Sequence, residues 1–149
     1  MTAQPYFAFG SNMLEREILH HTPHAQSLGC AVLRGYRLAF TRWSAKRGGG
    51  VADIVEHPTG EVWGVLYEVP DDELHSLDAK EGVPTAYRRM TVRVEDAAGV
   101  ECDAMAYEVV DRTGPYAPTA IYLAIIIEGA REHGLPAWYV EGLTSLASA

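Results

Sequence analysis

The chain has 149 residues, the length of one compact domain, and 48% of them are hydrophobic, enough for a core without disulfide bonds or metal ions. Its 12 basic and 20 acidic residues give a formal net charge of −8, which argues against a surface for nucleic acid or anionic membranes, because both reward clustered lysine and arginine. We therefore expect a single domain over residues 1–149 that binds neither nucleic acid nor membranes.

The N-terminal segment predicts a strand followed by a short helix. Residues 6–9 are rich in β-prone side chains and stop at Gly10, which is typical of a strand end. A helix is expected over residues 13–21, with Asn12 as its N-cap and Glu15 completing a capping box.

The middle of the chain predicts strands joined by turns. Residues 31–43 indicate one or two strands interrupted at Gly35. Further strands are expected over residues 51–55 and 61–69, separated by the turn signal His57-Pro58-Thr59-Gly60.

The second half predicts three helices around a hairpin. An acidic turn begins a helix that ends at Gly82. Strands over residues 87–94 and 101–110 form the hairpin, and helices follow over residues 120–133 and 138–146. Many strands with few crossover helices indicate an α+β fold, with a mainly antiparallel sheet that can curl into a barrel.

The ends and the cysteines of the chain favour a cytoplasmic protein. Residues 1–20 lack the basic segment and apolar core of a signal peptide. The longest apolar stretch, residues 120–127, is too short to span a bilayer. Cys30 and Cys102 form no CxxC motif, which fits a reducing compartment.

The tripeptide Gly10-Ser11-Asn12 ends the first strand abruptly and allows two interpretations. A strand-to-helix turn with an asparagine cap explains it fully. The same geometry leaves amide N–H groups unpaired before the helix, and these can hold a carboxylate or a polarised carbonyl oxygen. Taken alone, the tripeptide favours the plain turn.

Glu81 lies at the end of a predicted helix, directly before Gly82. Most glutamates at helix ends are solvated surface groups, which is the default interpretation. A carboxylate at a helix C-terminus is nevertheless disfavoured by the helix dipole, so something other than helix stability could place it there.

Other side chains point to chemistry only weakly. The histidines have no ligand spacing, because Pro23 breaks the helix that would align His20 with His24, and we expect no metal. No nucleophile elbow, P-loop or dinucleotide fingerprint occurs. Aromatic residues could line a pocket, but a core is the better default for them; they are Tyr6, Phe7, Phe9, Tyr87, Tyr116 and Tyr122.

A series of segments along nearly the whole chain carries a stronger signal. They are YFAFGSNM at 6–13, GGVADI at 49–54, EVWGVLYEV at 61–69, LDAKEGV at 77–83 with Tyr87 following, and Tyr122 ahead of EGAREHGLP at 128–136. In sequence and order they resemble the γ-glutamylcyclotransferase family. The resemblance implies a small mixed, mainly antiparallel β-barrel with flanking helices.

The resemblance also implies an enzymatic activity. In the family, the α-amine of a γ-glutamyl amide attacks its own γ-carbonyl, so that 5-oxoproline forms and an amino acid or amine leaves. We therefore expect a small-molecule γ-glutamyl substrate, a link to glutathione metabolism and no cofactor.

By resemblance, Glu81 matches the general base that takes the ammonium proton and later gives it to the leaving amine. A partly dry pocket should raise its pKa for that role. The backbone of Phe9, Gly10 and Ser11 matches the loop that holds the substrate's oxygens. The other substrate-binding residues that the resemblance implies are Tyr6, Phe7, Ala8, Asn12, Tyr87 and Tyr122.

One departure keeps alternatives open: the family usually has tyrosine where this chain has Phe9. The alternatives are a non-catalytic ligand-binding or interaction module on the same fold, and a hydrolase in which Glu81 activates water. A relative acting on γ-glutamyl amines, glutathione or a γ-glutamyl biosynthetic intermediate is a further one. Assembly as a homodimer also stays open.

Overall fold

A computed structural model describes residues 2–146 of the chain. Its strands are β1 (Ala3–Ala8), β2 (Gln26–Ser44), β3 (Gly49–Pro70), β4 (Tyr87–Asp96) and β5 (Glu101–Val109). Its α-helices are α1 (Glu15–Leu19), α2 (Leu74–Glu81), α3 (Ala120–Glu132) and α4 (Ala137–Leu146). The predicted α+β class is confirmed. The single domain over residues 1–149 stays a prediction, and residues 1 and 147–149 lie outside the described part.

The strands close into a barrel in the order β1-β3-β2-β4-β5. Strand β1 runs antiparallel to β3 along its whole length and meets β5 in a parallel bridge between Tyr6 and Met105. The closed sheet surrounds a core of buried apolar side chains. The barrel-like sheet with flanking helices that the resemblance implied is therefore confirmed.

Strands β2 and β3 form one long hairpin, so the predicted division of residues 51–69 into two strands is wrong, whereas residues 31–43 form one strand, one of the two alternatives. Arg34 pairs with Glu61 and Tyr36 pairs with Glu56, which leaves residues 57–60 as an excursion within β3. Gly35 has φ +86° at this point, a conformation that glycine adopts without strain. The local turn signal is overridden because pairing with β2 resumes on both sides of it.

The predicted N-cap at Asn12 is also wrong. Residues Ser11–Met13 form a single 3₁₀ turn, and α1 begins at Glu15 without a side-chain cap. The Asn12 side chain is buried, so its polar atoms need interior partners. Its Nδ2 donates to the hydroxyl of Tyr6 at 3.0 Å, and its Oδ1 accepts from Lys80.

The predicted helix before Gly82 and the hairpin after it are confirmed. Helix α2 ends at Glu81 because Gly82 adopts φ +69° and donates its N–H to the Ala79 carbonyl. Strands β4 and β5 then pair antiparallel in continuous register. Helix α3 begins after Thr119, whose hydroxyl accepts the N–H of Tyr122 and so fixes where that tyrosine starts its turn.

A fully buried carboxylate, Asp53 on β3, joins three parts of the barrel. It accepts hydrogen bonds from the Thr41 hydroxyl at 2.7 Å, from the N–H groups of Ile54 and Val109 at 2.8 and 3.0 Å, and from Nε of Arg112 at 2.7 Å. Because all its partners are donors, the charge is well satisfied where it lies. Asp53 thereby fixes β2, β3 and β5 to one another.

Candidate active site

One cavity of about 240 Å³ brings together segments that are far apart in sequence. Its walls come from the β1–α1 loop, the β2–β3 hairpin, the end of α2, β4, β5 and α3. Among the residues that the sequence singled out, those lining it are Tyr6, Phe9, Gly10, Ser11, Asn12, Glu81, Tyr87 and Tyr122. The loop after β1 and the carboxylate at the end of α2 therefore share one cavity.

Phe7 and Ala8 lie outside the cavity lining, contrary to expectation. Successive side chains of a strand point to opposite faces, so Phe7 points away from the face that carries Tyr6. Phe7 is fully buried, and its ring lies 2.8 Å from where a Cβ on Gly64 would stand. Ala8 is also fully buried and pairs with Val65 of β3. Both residues support the loop from the core.

Glu81 points into the cavity because it lies on the same face of α2 as the buried leucines. Leu74 and Leu77 are buried against the barrel, and Glu81 lies seven and four residues beyond them on the same face. Asp78 anchors the helix by accepting from the Tyr107 hydroxyl at 2.6 Å and from Nε of Arg89 at 2.8 Å. The end of α2 is thus held to β4 and β5, with the glutamate facing inward.

The Glu81 carboxylate has the electrostatics of a proton acceptor. Burial raises the pKa of Glu81 above its usual range, and the cations of Lys80 and Arg47 lower it in part. Within residues 2–146, no hydrogen bond contributes to the pKa of this carboxylate. Its oxygens are therefore available to a group that enters the cavity.

The loop after β1 offers hydrogen-bond donors and room beside them. Within the described chain, the N–H groups of Gly10 and Ser11 have no protein acceptor, although both residues line the cavity. A Cβ on Gly10 would come 3.2 Å from Cβ of Ala52 and 3.5 Å from the hydroxyl of Tyr122. A larger side chain at position 10 would therefore narrow the cavity at these donors.

Two tyrosines of the cavity lining bond the backbone of the same residue, Ala52. The hydroxyl of Tyr122 accepts the N–H of Ala52 at 3.0 Å, and the hydroxyl of Tyr87 donates to the Ala52 carbonyl at 2.7 Å. Burial raises the pKa of Tyr122 to about 12, so the phenol stays protonated at neutral pH. Its own proton is free to be donated to a ligand.

Asn12, Tyr6 and Lys80 form a polar chain beside Glu81. Lys80 donates to Oδ1 of Asn12, whose Nδ2 donates to the Tyr6 hydroxyl. Burial lowers the pKa of Lys80, and the negative charge of Glu81 raises it in part. These hydrogen bonds connect the loop after β1 to the end of α2 and so fix the two sides of the cavity relative to each other.

A group of polar residues in the cavity, most of them cationic, was not predicted from the sequence. A sequence signal for those between positions 42 and 47 is the basic run that they form in an otherwise acidic chain. Arg47 shows how the run is placed: its Nη2 bonds Glu17 at 3.2 Å, and its Cζ lies 5.2 Å from the ring centroid of Tyr122. The missed residues are Arg42, Ser44, Lys46, Arg47, Lys80 and Tyr107.

No three His, Cys, Asp or Glu residues among positions 2–146 lie close enough together to hold a metal ion. Over the same positions, no helix has the length and apolar character needed to cross a membrane.

Comparison with known proteins places the chain in a family. Residues 61–143 match the AIG2-like family. The chain is 35% identical over 146 residues to the γ-glutamylcyclotransferase of Bos taurus, with 95% of this chain and 77% of the bovine protein covered. It is also 35% identical over 147 residues to the γ-glutamylcyclotransferase of Homo sapiens, with the same coverage. The chain belongs to the γ-glutamylcyclotransferase family.

A solved structure of this family has the same fold. A structure described as a γ-glutamyl cyclotransferase superposes with a TM-score of 0.91 at 34% identity, covering 95% of this chain and 86% of its own. The resemblance seen in the signature segments is thereby confirmed over nearly the whole γ-glutamylcyclotransferase fold.

Proposed function

We propose that this chain is a γ-glutamylcyclotransferase that forms 5-oxoproline in the cavity containing Glu81. The relatives that align with 95% of the chain at 35% identity are named for that activity. The observation that carries the proposal is the position of Glu81. It is a carboxylate of raised pKa that lines the same cavity as the unpaired N–H groups of Gly10 and Ser11.

In this mechanism Glu81 acts first as a base and then as an acid. It takes a proton from the substrate's α-ammonium, and the free amine attacks the γ-carbonyl carbon. A new C–N bond closes the five-membered ring. Glu81 then returns the proton to the leaving nitrogen as the original amide C–N bond breaks, and the ring nitrogen gives its second proton to the expelled amine, which leaves as an ammonium. The products are 5-oxoproline and the free amino acid or amine, and no cofactor takes part.

The oxyanion of the tetrahedral intermediate needs donors already in place. The N–H groups of Gly10 and Ser11 supply them, because neither has an acceptor among residues 2–146. The Tyr122 hydroxyl supplies a further donor from α3. The cavity also holds the γ-glutamyl chain folded back on itself. Such orientation lowers the activation barrier by an amount on the order of several kcal/mol.

The charge of the cavity suits the substrate. A γ-glutamyl amino acid carries two carboxylates and one ammonium. Four cationic side chains line the cavity beside the single carboxylate of Glu81, although the whole chain has a net charge of −8. Such a local reversal of sign concentrates anionic ligands. The four cations are Arg42, Lys46, Arg47 and Lys80.

The direct test is product analysis with a panel of γ-glutamyl amides. Release of 5-oxoproline, detected by mass spectrometry, supports the cyclotransferase. Release of glutamate instead supports the hydrolase, and binding without turnover supports the non-catalytic module that Phe9 kept open. A cytoplasmic location and a homodimer stay predictions.

The pH profile offers a test of the base. Lys80 lowers the pKa of Glu81, so Lys80→Met should raise it further. Because the base must be deprotonated to act, the acidic limb of kcat/KM should move to higher pH in this variant. Lys46→Met is the matched control, since Lys46 lines the same cavity but is not among the charges that act on Glu81. If the acidic limb of kcat/KM is unchanged or moves to lower pH in Lys80→Met, the assignment of Glu81 as the base is contradicted.

A further inference from the structure

Arg42 reaches the cavity through an irregularity in β2. Phe40 pairs with Ala52 and Arg42 pairs with Val51, so Thr41 is an extra residue that forms a β-bulge. In a regular strand, positions 40 and 42 would face the same side. Here Phe40 lines a separate groove against α4, whereas Arg42 lines the active-site cavity. Bulges next to active sites commonly redirect a side chain in this way.

The bulge is built into the core. The Thr41 hydroxyl donates to the buried Asp53 carboxylate at 2.7 Å, and the Thr41 carbonyl accepts the N–H of Thr113 at 2.8 Å. Four donors surround Asp53, so this part of β2 has one well-defined conformation. The position of Arg42 is thus set by buried contacts.

Arg42 is half-buried, and its guanidinium has no hydrogen bond or ion pair with the part of the chain that the structure describes. Most other arginines have a carboxylate partner. They are Arg16, Arg34, Arg47, Arg88, Arg89, Arg93 and Arg112. A guanidinium that faces a cavity without a protein partner can bind a carboxylate through two parallel hydrogen bonds.

The cations of the cavity divide into two groups. The charges of Lys80 and Arg47 act on Glu81, whereas that of Arg42 acts on the hydroxyl of Tyr87. In the proposed reaction the α-amine lies against Glu81, so the neighbouring α-carboxylate lies near Lys80 and Arg47. The leaving nitrogen stays within reach of Glu81, and the remainder of the leaving group, with its carboxylate, extends from the other side of the γ-carbonyl. Arg42 is half-buried, has no partner among residues 2–146 and is the cation of the cavity left for that carboxylate.

We propose that Arg42 is a specificity-determining residue whose guanidinium binds the carboxylate of the leaving amino acid. The inference rests on the proposed function and adds the residue through which the cavity distinguishes a γ-glutamyl amino acid from a γ-glutamyl amine. The bulge at Thr41 and the cavity lining carry it.

Two substrates isolate this contact. γ-Glutamyl-alanine and γ-glutamyl-ethylamide differ only in the carboxylate of the leaving group. In Arg42→Gln, kcat/KM for γ-glutamyl-alanine should fall about 10- to 100-fold, the range of a charge-assisted hydrogen bond. For γ-glutamyl-ethylamide it should stay within about twofold of the wild type. Arg42→Lys keeps the charge and should recover part of the loss.

Arg37→Gln is the matched control. Arg37 lies on the same strand, is exposed and lines the groove against α4 rather than the cavity. It should change neither substrate. Equal losses on both substrates in Arg42→Gln, or equal use of both by the wild type, would overturn the proposal while leaving the cyclotransferase activity established.

A binding measurement separates this proposal from the proposed function. In a Glu81→Gln background, calorimetry should show that γ-glutamyl-alanine binds more tightly than γ-glutamyl-ethylamide. Adding Arg42→Gln should remove the difference. If the wild type forms no 5-oxoproline from either compound, the proposed function fails, and this binding comparison still decides the role of Arg42. Equal binding of the two compounds, or no binding of either, overturns it.

Discussion

Replacing Glu81 by glutamine is expected to lower the rate of 5-oxoproline formation about 10²- to 10⁴-fold, the usual contribution of a general acid–base group. Glutamine keeps the size and polarity of the side chain but cannot take the ammonium proton. The measurement is the initial rate of 5-oxoproline release from γ-glutamyl-alanine, followed by mass spectrometry at several pH values.

Two comparisons show whether the loss is chemical. Calorimetry should show that Glu81→Gln still binds γ-glutamyl-alanine, because the loop donors and the cavity cations are unchanged. Glu141→Gln on the exposed face of α4 should keep wild-type turnover. Wild-type turnover in Glu81→Gln would mean that another group moves the proton.

Replacing Asp53 by alanine is expected to lower the free energy of unfolding by about 3–5 kcal/mol, because three donors inside the barrel lose their acceptor at about 1–3 kcal/mol each. The substitution leaves the N–H groups of Ile54 and Val109 and the hydroxyl of Thr41 without their acceptor inside the barrel. Urea unfolding followed by circular dichroism at pH 7 measures the change.

Asp103→Ala is the matched control for that experiment. Asp103 pairs with Arg93 across the β4–β5 hairpin, but both side chains are more than half exposed. Exposed ion pairs contribute little, so its unfolding midpoint should stay close to that of the wild type. Equal midpoints for the two variants would show that the Asp53 cluster does not stabilise the barrel as described.

Much of the fold could be predicted from local signals in the sequence. The end of α2 follows from Gly82, because glycine adopts the left-handed conformation without strain, and the β4–β5 hairpin follows from alternating residues around a turn. Two predictions failed where long-range contacts override local preference. The local sequence predicts a turn between strands at residues 57–60, but both flanking segments pair with β2. It also predicts a helix cap at Asn12, but that side chain is buried and bonds Tyr6 and Lys80.

The site was predictable only in part. Glu81 and the loop after β1 lie in signature segments, so resemblance found them where residue chemistry alone favoured a surface glutamate and a plain turn. Arg42 and Tyr107 carry no such signal. Their place in the cavity depends on a bulge and on barrel closure, which join residues from different strands. A period-of-two pattern along one strand cannot show either effect.

The most direct test is a crystal structure of the Glu81→Gln variant with γ-glutamyl-alanine. We expect the ligand's α-amine against residue 81, its γ-carbonyl oxygen on the N–H groups of Gly10 and Ser11, and its alanine carboxylate on Arg42. A γ-glutamyl group bound outside this cavity, or inside it with the amine turned away from residue 81, would contradict the account.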